Sequence, residues 1–185
     1  DAPESRIGWT RQLEACGLLW QLTGQPRYAD RGISLMRSVL ERSNPAEFYR
    51  RAYLQRQAAP LRALALGWDW LYEKMTPNQR AALLPRLEQW CRACYEHTEK
   101  QWWREAAYNC GAIPVAGFGL LALAIRPESS SPRIRLYYRE AVRRMAQNFF
   151  PVSWRPSGIC WEGPNYAIVG FRYPAVFAEA LSRSG

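Results

Sequence analysis

Apolar residues recur at helical spacing along most of the chain. Residues 4–24 and 27–43 each carry an apolar stripe with a period close to 3.6, which indicates amphipathic helices. Similar patterns run from about Ala58 to Met75, from Pro77 to about Glu99, over 110–125, over 131–150, and through the last residues from Tyr173. No segment alternates apolar and polar residues convincingly, so we expect few strands.

Turn and capping residues separate these helices. A Thr-Gly-Gln-Pro turn follows the first helix, and Gly24 stands where a helix end favours a positive φ angle. The second helix ends before an Asn-Pro pair at 44–45. Thr76 is suited to cap the helix that follows it, with Pro77 at the first helical position.

About seven helices with short connections predict antiparallel neighbours. The turns at 23–30 and 76–81 close consecutive helical hairpins, which favours stacked helix pairs over a single bundle. An α-solenoid and an incomplete α/α toroid both fit this pattern. We expect residues 1–185 to form one all-α domain that is a fragment of a longer chain, because the sequence stops as a helix ends.

Composition and charge narrow the function classes. The chain is 48% hydrophobic and has a net charge of +9, carried almost entirely by arginine. A positive field favours anionic partners, although an arginine bias alone does not identify one. The arginines are scattered and no zinc-finger, RNA-binding or phosphate-loop motif accompanies them, so we predict no nucleic-acid partner. No apolar run approaches the roughly 20 residues of a membrane span, so we predict no membrane partner.

The five cysteines predict neither a cofactor nor a metal site. Cys91 and Cys94 form a CxxC pair, but the pair lies inside a predicted helix rather than at a helix start. The only histidine, His97, is one turn further along the same helix, and a zinc site needs more ligands. We expect the cysteines to be small core residues, and His97 to lie at the surface or the edge of the core.

Polar and aromatic residues outside the regular helices are the candidate site residues. Trp102 and Trp103 lie in a polar connection, where they are suited either to stack on sugar rings or to close the end of the core. Asn109 opens a very apolar helix, either as its N-cap or as an amide that holds a carboxylate. Glu162 and Asn165 stand at the start of the last helix, where Glu162 also complements the helix dipole.

Three stretches together resemble the heparinase II/III-like polysaccharide lyases. LALGWDWLYEKMTPNQRAAL is similar to the family's helix-turn-helix AYDWLYD.LTP.QR..I, and YNCGAIPVAGFGLLALAI to a segment in which Asn opens a helix of small apolar residues. WEGPNYAIVGFRY resembles the stretch EG..Y..Y....Y. The three occur in the family's order, and the resemblance extends from about Trp9 to Leu181.

The resemblance implies an incomplete α/α toroid followed by a β-sandwich, with the active site between them. It implies β-elimination on a uronic-acid polysaccharide such as alginate or a glycosaminoglycan, in the periplasm or outside the cell. Asn109 would hydrogen-bond the uronate carboxylate and Tyr166 would be the general acid. Tyr173, two helical turns further on, would support the site or pack in the core. Trp102, Trp103, Glu162 and Asn165 would line the substrate cleft.

Two departures from the family pattern affect this expectation. The family's catalytic His comes from the β-sandwich, which this chain lacks, so we expect the catalytic base to lie outside it and the fragment alone to be nearly inactive. Gly111, Ala112 and Ile113 stand where the family often has a further Asn or His, which implies a thinner carboxylate clamp or a different substrate. A uronyl C5-epimerase and a non-catalytic helical scaffold that binds carbohydrate or protein are the alternatives.

Overall fold

The computed structural model describes residues 8–52, 57–101, 104–105, 108–153 and 163–184, with side chains in the last range described from Ile168. These residues form eight α-helices and no strand, so the all-α prediction is confirmed for them. The helices are α1 (Gly8–Thr23), α2 (Pro26–Arg42), α3 (Pro45–Arg51), α4 (Ala59–Leu71), α5 (Pro77–Glu99), α6 (Asn109–Ile125), α7 (Pro132–Arg144) and α8 (Gly163–Arg183). A 3₁₀ turn at Tyr72–Lys74 follows α4, and a π-helical segment at Met145–Ser153 extends α7.

Local chemistry sets several helix ends as the sequence predicts. Gly24 has a φ angle of 63°, which the sequence predicts for the end of α1. Thr76 and Gln79 form a reciprocal capping box at the start of α5, with Pro77 at the first helical position. The periodic pattern of the sequence does not predict helix α3. It is only seven residues long, and Asn44 caps it by accepting hydrogen bonds from the Ala46 and Glu47 amides.

The helices pack in two layers. Helices α1, α4, α6 and α8 contact one another in that order, and α5 contacts both α3 and α7 in the second layer. Within the first layer α1 and α4 are parallel, because Gly67 lies against Leu13 and Gly17 against Trp70. The hairpin α5–α6 is antiparallel, because the thiols of Cys91 and Cys94 donate to the carbonyls of Phe118 and Pro114 respectively.

Helix α6 is the core of the molecule. All its residues except Ala124 are buried, and α4, α5, α7 and α8 surround it. A helix that is apolar on every side is stable only when neighbours cover it completely. Gly117 and Gly119 allow this close approach: a β-carbon at Gly119 would lie 2.5 Å from Cβ of Ala141 on α7 and 2.8 Å from Cζ of Phe177 on α8.

Helix α8 runs parallel to α6. Helix α7 is antiparallel to α6, since Arg126 at the end of α6 lies over the Tyr138 ring while Gly119 faces Ala141. The chain after α7 therefore returns to the starting end of α6, where Phe150 packs against Phe171 of α8. Further along α8, Phe177 reaches Gly119. Helices α6 and α8 thus start at the same end of their layer. Closure of the layers into a toroid stays a prediction.

No helix within the described residues is long and apolar enough to cross a membrane.

Candidate functional site

Asn109 is the first residue of α6 and is 9% exposed. The N-cap is Tyr108, whose carbonyl accepts hydrogen bonds from the Gly111 and Ala112 amides, so the assignment of Asn109 as N-cap is wrong by one residue. The N-cap adopts extended backbone angles before the helix begins, and the side chain of Tyr108 makes no capping hydrogen bond. Asn109 is therefore a nearly buried amide in the first turn of the central helix.

Asn165 and Tyr166 lie in the first turn of α8, and helix geometry relates their backbone to that of Asn109. Gly119 and Phe177 touch, which fixes a common level on the two parallel helices. Asn109 precedes Gly119 by ten residues and Tyr166 precedes Phe177 by eleven. At 1.5 Å per residue these offsets are about 15 and about 16.5 Å, so the two backbones are at nearly the same height. Packed helices have axes about 8–10 Å apart, which a long side chain can bridge.

The other candidates fall into two groups. Trp102, Trp103 and Glu162 lie outside the described residues. For Asn165 and Tyr166 only the backbone is described. Their roles stay predictions from the resemblance.

Tyr173 is half-buried on α8, and its ring lies beside an ion pair that is not among the candidate site residues of the sequence. The guanidinium of Arg62 on α4 lies 5.1 Å from the centre of the Tyr173 ring. The same guanidinium donates to both carboxylate oxygens of Glu14 on α1, at 2.9 and 2.8 Å. Arg62 thus connects α1, α4 and α8 at one point. The Tyr173 ring is held there both by packing and by its cation–π contact with the guanidinium. An isolated Arg inside the apolar run PLRALALGW is the sequence signal that marks it.

A buried arginine holds the connection that leads into Asn109. Arg144 at the end of α7 is 2% exposed, and it donates to the Arg104 carbonyl at 3.0 Å and to the Glu99 carboxylate. Next to it, the Asn148 amide donates to Glu105 at 3.0 Å. These bonds tie the end of α5 and residues 104–105 to the end of α7.

The sequence contains a signal for this arginine. Arg144 continues the apolar stripe of α7 that includes Ile134, Tyr137 and Ala141, at steps of three and four residues. A charged residue on the buried stripe of an amphipathic helix needs a partner, because an unpaired buried charge is very costly. The pattern alone does not say which residues supply that partner.

A basic groove lies on the second layer, between the end of α2, the start of α3 and the face of α5. It has a volume of about 720 Å³. Of the described residues that line it, five are cationic and two are acidic; the cations are Arg42, Arg50, Arg86, Arg92 and Lys100. These cations are scattered in the sequence, and the packing of α2 and α3 against α5 gathers them.

His97 lines this groove and is half-buried. Its ring packs near Tyr49, with ring centres 6.0 Å apart, and its Nε2 faces the side-chain amides of Gln57 at 3.1 Å and Gln101 at 3.4 Å. Burial and then the charge of Lys100 lower the pKa of His97 below its ordinary value. Both amides can donate to Nε2 only while that nitrogen carries no proton, so the contacts also favour the neutral ring.

The buried cysteines are packed in the core. Burial raises the pKa of Cys94 to about 12 and that of Cys91 well above its ordinary value, so both remain protonated thiols. Among the residues that the structure describes, no group of three or more His, Cys, Asp and Glu side chains is placed to hold a metal ion.

The three sequence motifs alone carry the resemblance to the lyases. Nothing among known protein families, curated proteins and solved structures matches this chain.

Proposed function

We propose that this chain is the α/α toroid part of a heparinase II/III-like polysaccharide lyase that acts on an acidic polysaccharide in the periplasm or outside the cell. The two layers of antiparallel hairpins support the toroid, since α1, α4, α6 and α8 are suited to be its inner helices and α5 and α7 its outer ones. The net charge of +9 suits a polymer of uronic acids.

One observation carries the proposal. Helices α6 and α8 start at the same end of their layer, and the helix geometry above gives Asn109 and Tyr166 nearly the same height. Asn109 and Tyr166 are 57 positions apart in the sequence, and nothing in the spacing of their motifs requires them to meet. A site built from both motifs requires that α6 and α8 start at the same end of the layer.

Two of the three roles in the elimination fall to these residues. The base that takes up the C5 proton would come from outside this chain, as the resemblance implies. Removal of the C5 proton of a uronate requires that its carboxylate be neutralised, and the amide of Asn109 would donate a hydrogen bond to that carboxylate as charge develops. The departing O4 needs a proton, and a tyrosine with a pKa of about 10 holds one at neutral pH. Tyr166 would therefore be the general acid. Arg62 and Tyr173 would support α8 from the side of α4.

The test is an ultraviolet assay of the full-length gene product on alginate, heparan sulfate, hyaluronan and chondroitin, because elimination creates a double bond conjugated with the carboxylate. Tyr166→Phe removes only a hydroxyl, and we expect it to lower the rate at least about 100-fold, as loss of a general acid does. Asn109→Asp keeps the shape but adds a carboxylate, which would repel the substrate, so we expect a rise in KM and a loss of kcat.

Tyr138→Phe is the matched control. Tyr138 contacts Arg126 at the far end of α6 from Asn109, so it loses the same hydroxyl without touching the proposed site. Full activity of Tyr166→Phe on every polymer that the wild type cleaves would refute the assignment. Isomerisation at C5 without any ultraviolet product would instead identify an epimerase.

A second candidate is a non-catalytic helical scaffold that binds acidic carbohydrate. The burial of Asn109 favours it, because an amide that is 9% exposed offers little surface to a substrate. This candidate predicts saturable binding with no product from any of the four polymers, and unchanged affinity in Tyr166→Phe.

A further inference from the structure

The basic groove on the second layer is a separate feature from the proposed catalytic end of α6 and α8. Its walls come from α2, α3 and α5, whereas Asn109 and Tyr166 belong to helices of the first layer. We propose that this groove binds an acidic oligosaccharide through its arginine side chains. The inference goes beyond the proposed function, because binding here needs no elimination chemistry.

Charge is the first argument. Five cations against two carboxylates leave an excess of three positive charges around a groove of about 720 Å³. Charges that line a concave surface reinforce one another and attract counter-ions more strongly than scattered charges do. The five cations are all exposed, and Arg92 has a carboxylate partner only at the long distance of 3.9 Å, in Glu96. Arg42 donates to Ser38 and Arg86 donates to Gln89, in exposed hydrogen bonds that an anionic ligand can replace.

The shape of the groove suits an extended chain. Arg86 and Arg92 lie along one face of α5, and Lys100 is the C-cap at its end. Together with Gln89 and Glu96 these positions recur at steps of three and four residues. From Arg86 to Lys100 this face is about 21 Å long at 1.5 Å per residue. A linear polymer with regularly spaced anions can place several of them along such a row.

The mixture of groups distinguishes a sugar chain from a nucleic acid. Glu41, Gln89 and Glu96 stand among the arginines, and their oxygens accept hydrogen bonds from hydroxyl groups. An acidic oligosaccharide carries both anions and many hydroxyls, whereas a DNA backbone offers only anions, which carboxylates repel. Single-stranded nucleic acids also rely on exposed aromatic rings for stacking. Tyr49, a tyrosine in the lining, is only 2% exposed.

His97 provides a local reporter for the test. It is the only histidine of the chain and it lines the groove, so the resonances of its ring report occupancy there and not at the end of α6 and α8. The wild-type chain is titrated with an alginate hexasaccharide at low salt while the His97 ring is followed by nuclear magnetic resonance. We expect a saturable shift that weakens as salt is added.

The groove variant is Arg86→Gln with Arg92→Gln, and the control is Arg135→Gln with Arg139→Gln. The control pair is exposed on α7, outside the groove, and removes the same charge. We expect the groove variant to raise Kd about tenfold, or about 1.4 kcal/mol, and the control less than about twofold, since distant exposed charges are screened. Circular dichroism verifies that each variant is folded.

Three results would overturn the inference. The first is an equal loss of affinity in both double variants, because binding would then follow net charge alone. The second is an equal shift from maltohexaose, a neutral sugar of the same length. The third is tighter binding of oligothymidylate than of the hexasaccharide at the same His97 reporter. Because Tyr166→Phe leaves the groove unchanged, failure of the lyase proposal does not alter these outcomes.

Discussion

Gly119 offers a direct test of the packing that brings α6 and α8 together. Helices α7 and α8 both approach this glycine so closely that a methyl group has no room: a β-carbon would lie 2.5 Å from Cβ of Ala141 and 2.8 Å from Cζ of Phe177. Gly119→Ala therefore pushes at least one of the two helices away from α6. The substitution therefore disturbs the packing of α8 against α6, on which the proposed site depends.

The magnitude is a difference of two effects. Replacing a mid-helix glycine by alanine favours the helix by about 1 kcal/mol. Overpacking a tight core costs about 1–3 kcal/mol, and two contacts below 3.0 Å place Gly119→Ala in the upper half of that range. The net loss is then about 1–2 kcal/mol. For a chain of this size each 1 kcal/mol lowers Tm by about 2–4 °C, so we expect a fall of about 2–8 °C.

Urea unfolding followed by circular dichroism measures the loss, with Gly8→Ala as the control. A β-carbon at Gly8 would meet nothing within 4 Å, so that variant is expected to be neutral or slightly stabilising. Adding Ala141→Gly to Gly119→Ala moves the methyl group from α7 to α6. We expect a favourable coupling of about 1 kcal/mol or more between the two changes. A stabilised Gly119→Ala, or additive changes, would refute the packing argument.

Further predictions concern a cap, a buried ion pair and the histidine. Thr76→Ala breaks the capping box of α5 and is expected to lower the free energy of unfolding by about 1 kcal/mol, whereas Thr76→Ser retains it in the same urea experiment. Arg144→Met leaves the Glu99 carboxylate without this partner. Because Glu99 is partly exposed, we expect the free energy of unfolding to fall by no more than about 3 kcal/mol, the lower end of the range for broken buried pairs. It should also speed tryptic cleavage after Arg104, whose carbonyl it releases; an unchanged cleavage rate would contradict that role. The His97 ring should titrate below the ordinary value of about 6.5. As pH falls through that value the unfolded chain takes up the proton first, so the unfolding free energy declines there and levels off below the folded-state pKa. A midpoint at or above about 6.5 in a nuclear magnetic resonance titration would contradict the burial of the ring.

The local features of the fold could be read from the sequence because they depend on near neighbours. The end of α1 at Gly24 and the start of α5 at Thr76 follow from backbone angles and capping hydrogen bonds within a few residues. Helix α3 has too few residues for a periodic pattern to stand out, and the structure adds it. Of the two roles that the sequence allows Asn109, the N-cap places the cap one residue too late, because the polar side chain suggests a cap that the extended backbone of Tyr108 provides.

The candidate site could be predicted only in part, because its geometry depends on contacts between residues far apart in the chain. Motif resemblance singles out Asn109 and Tyr166, but their common height depends on α6 and α8 being parallel, which follows from contacts such as Phe177 with Gly119. The pairing of Arg62 with Glu14 spans 48 positions and could not be deduced from either neighbourhood.

The sequence by itself determined that this protein is helical, where most of its helices begin and end, and that residues 110–125 are too apolar to face water. These properties arise from side-chain periodicity and local hydrogen bonding. Only the tertiary structure decided that α6 is the central helix and that five scattered cations share one groove. The reason is physical: burial and charge clustering depend on which helix faces meet, and contacts between residues far apart in the chain decide that.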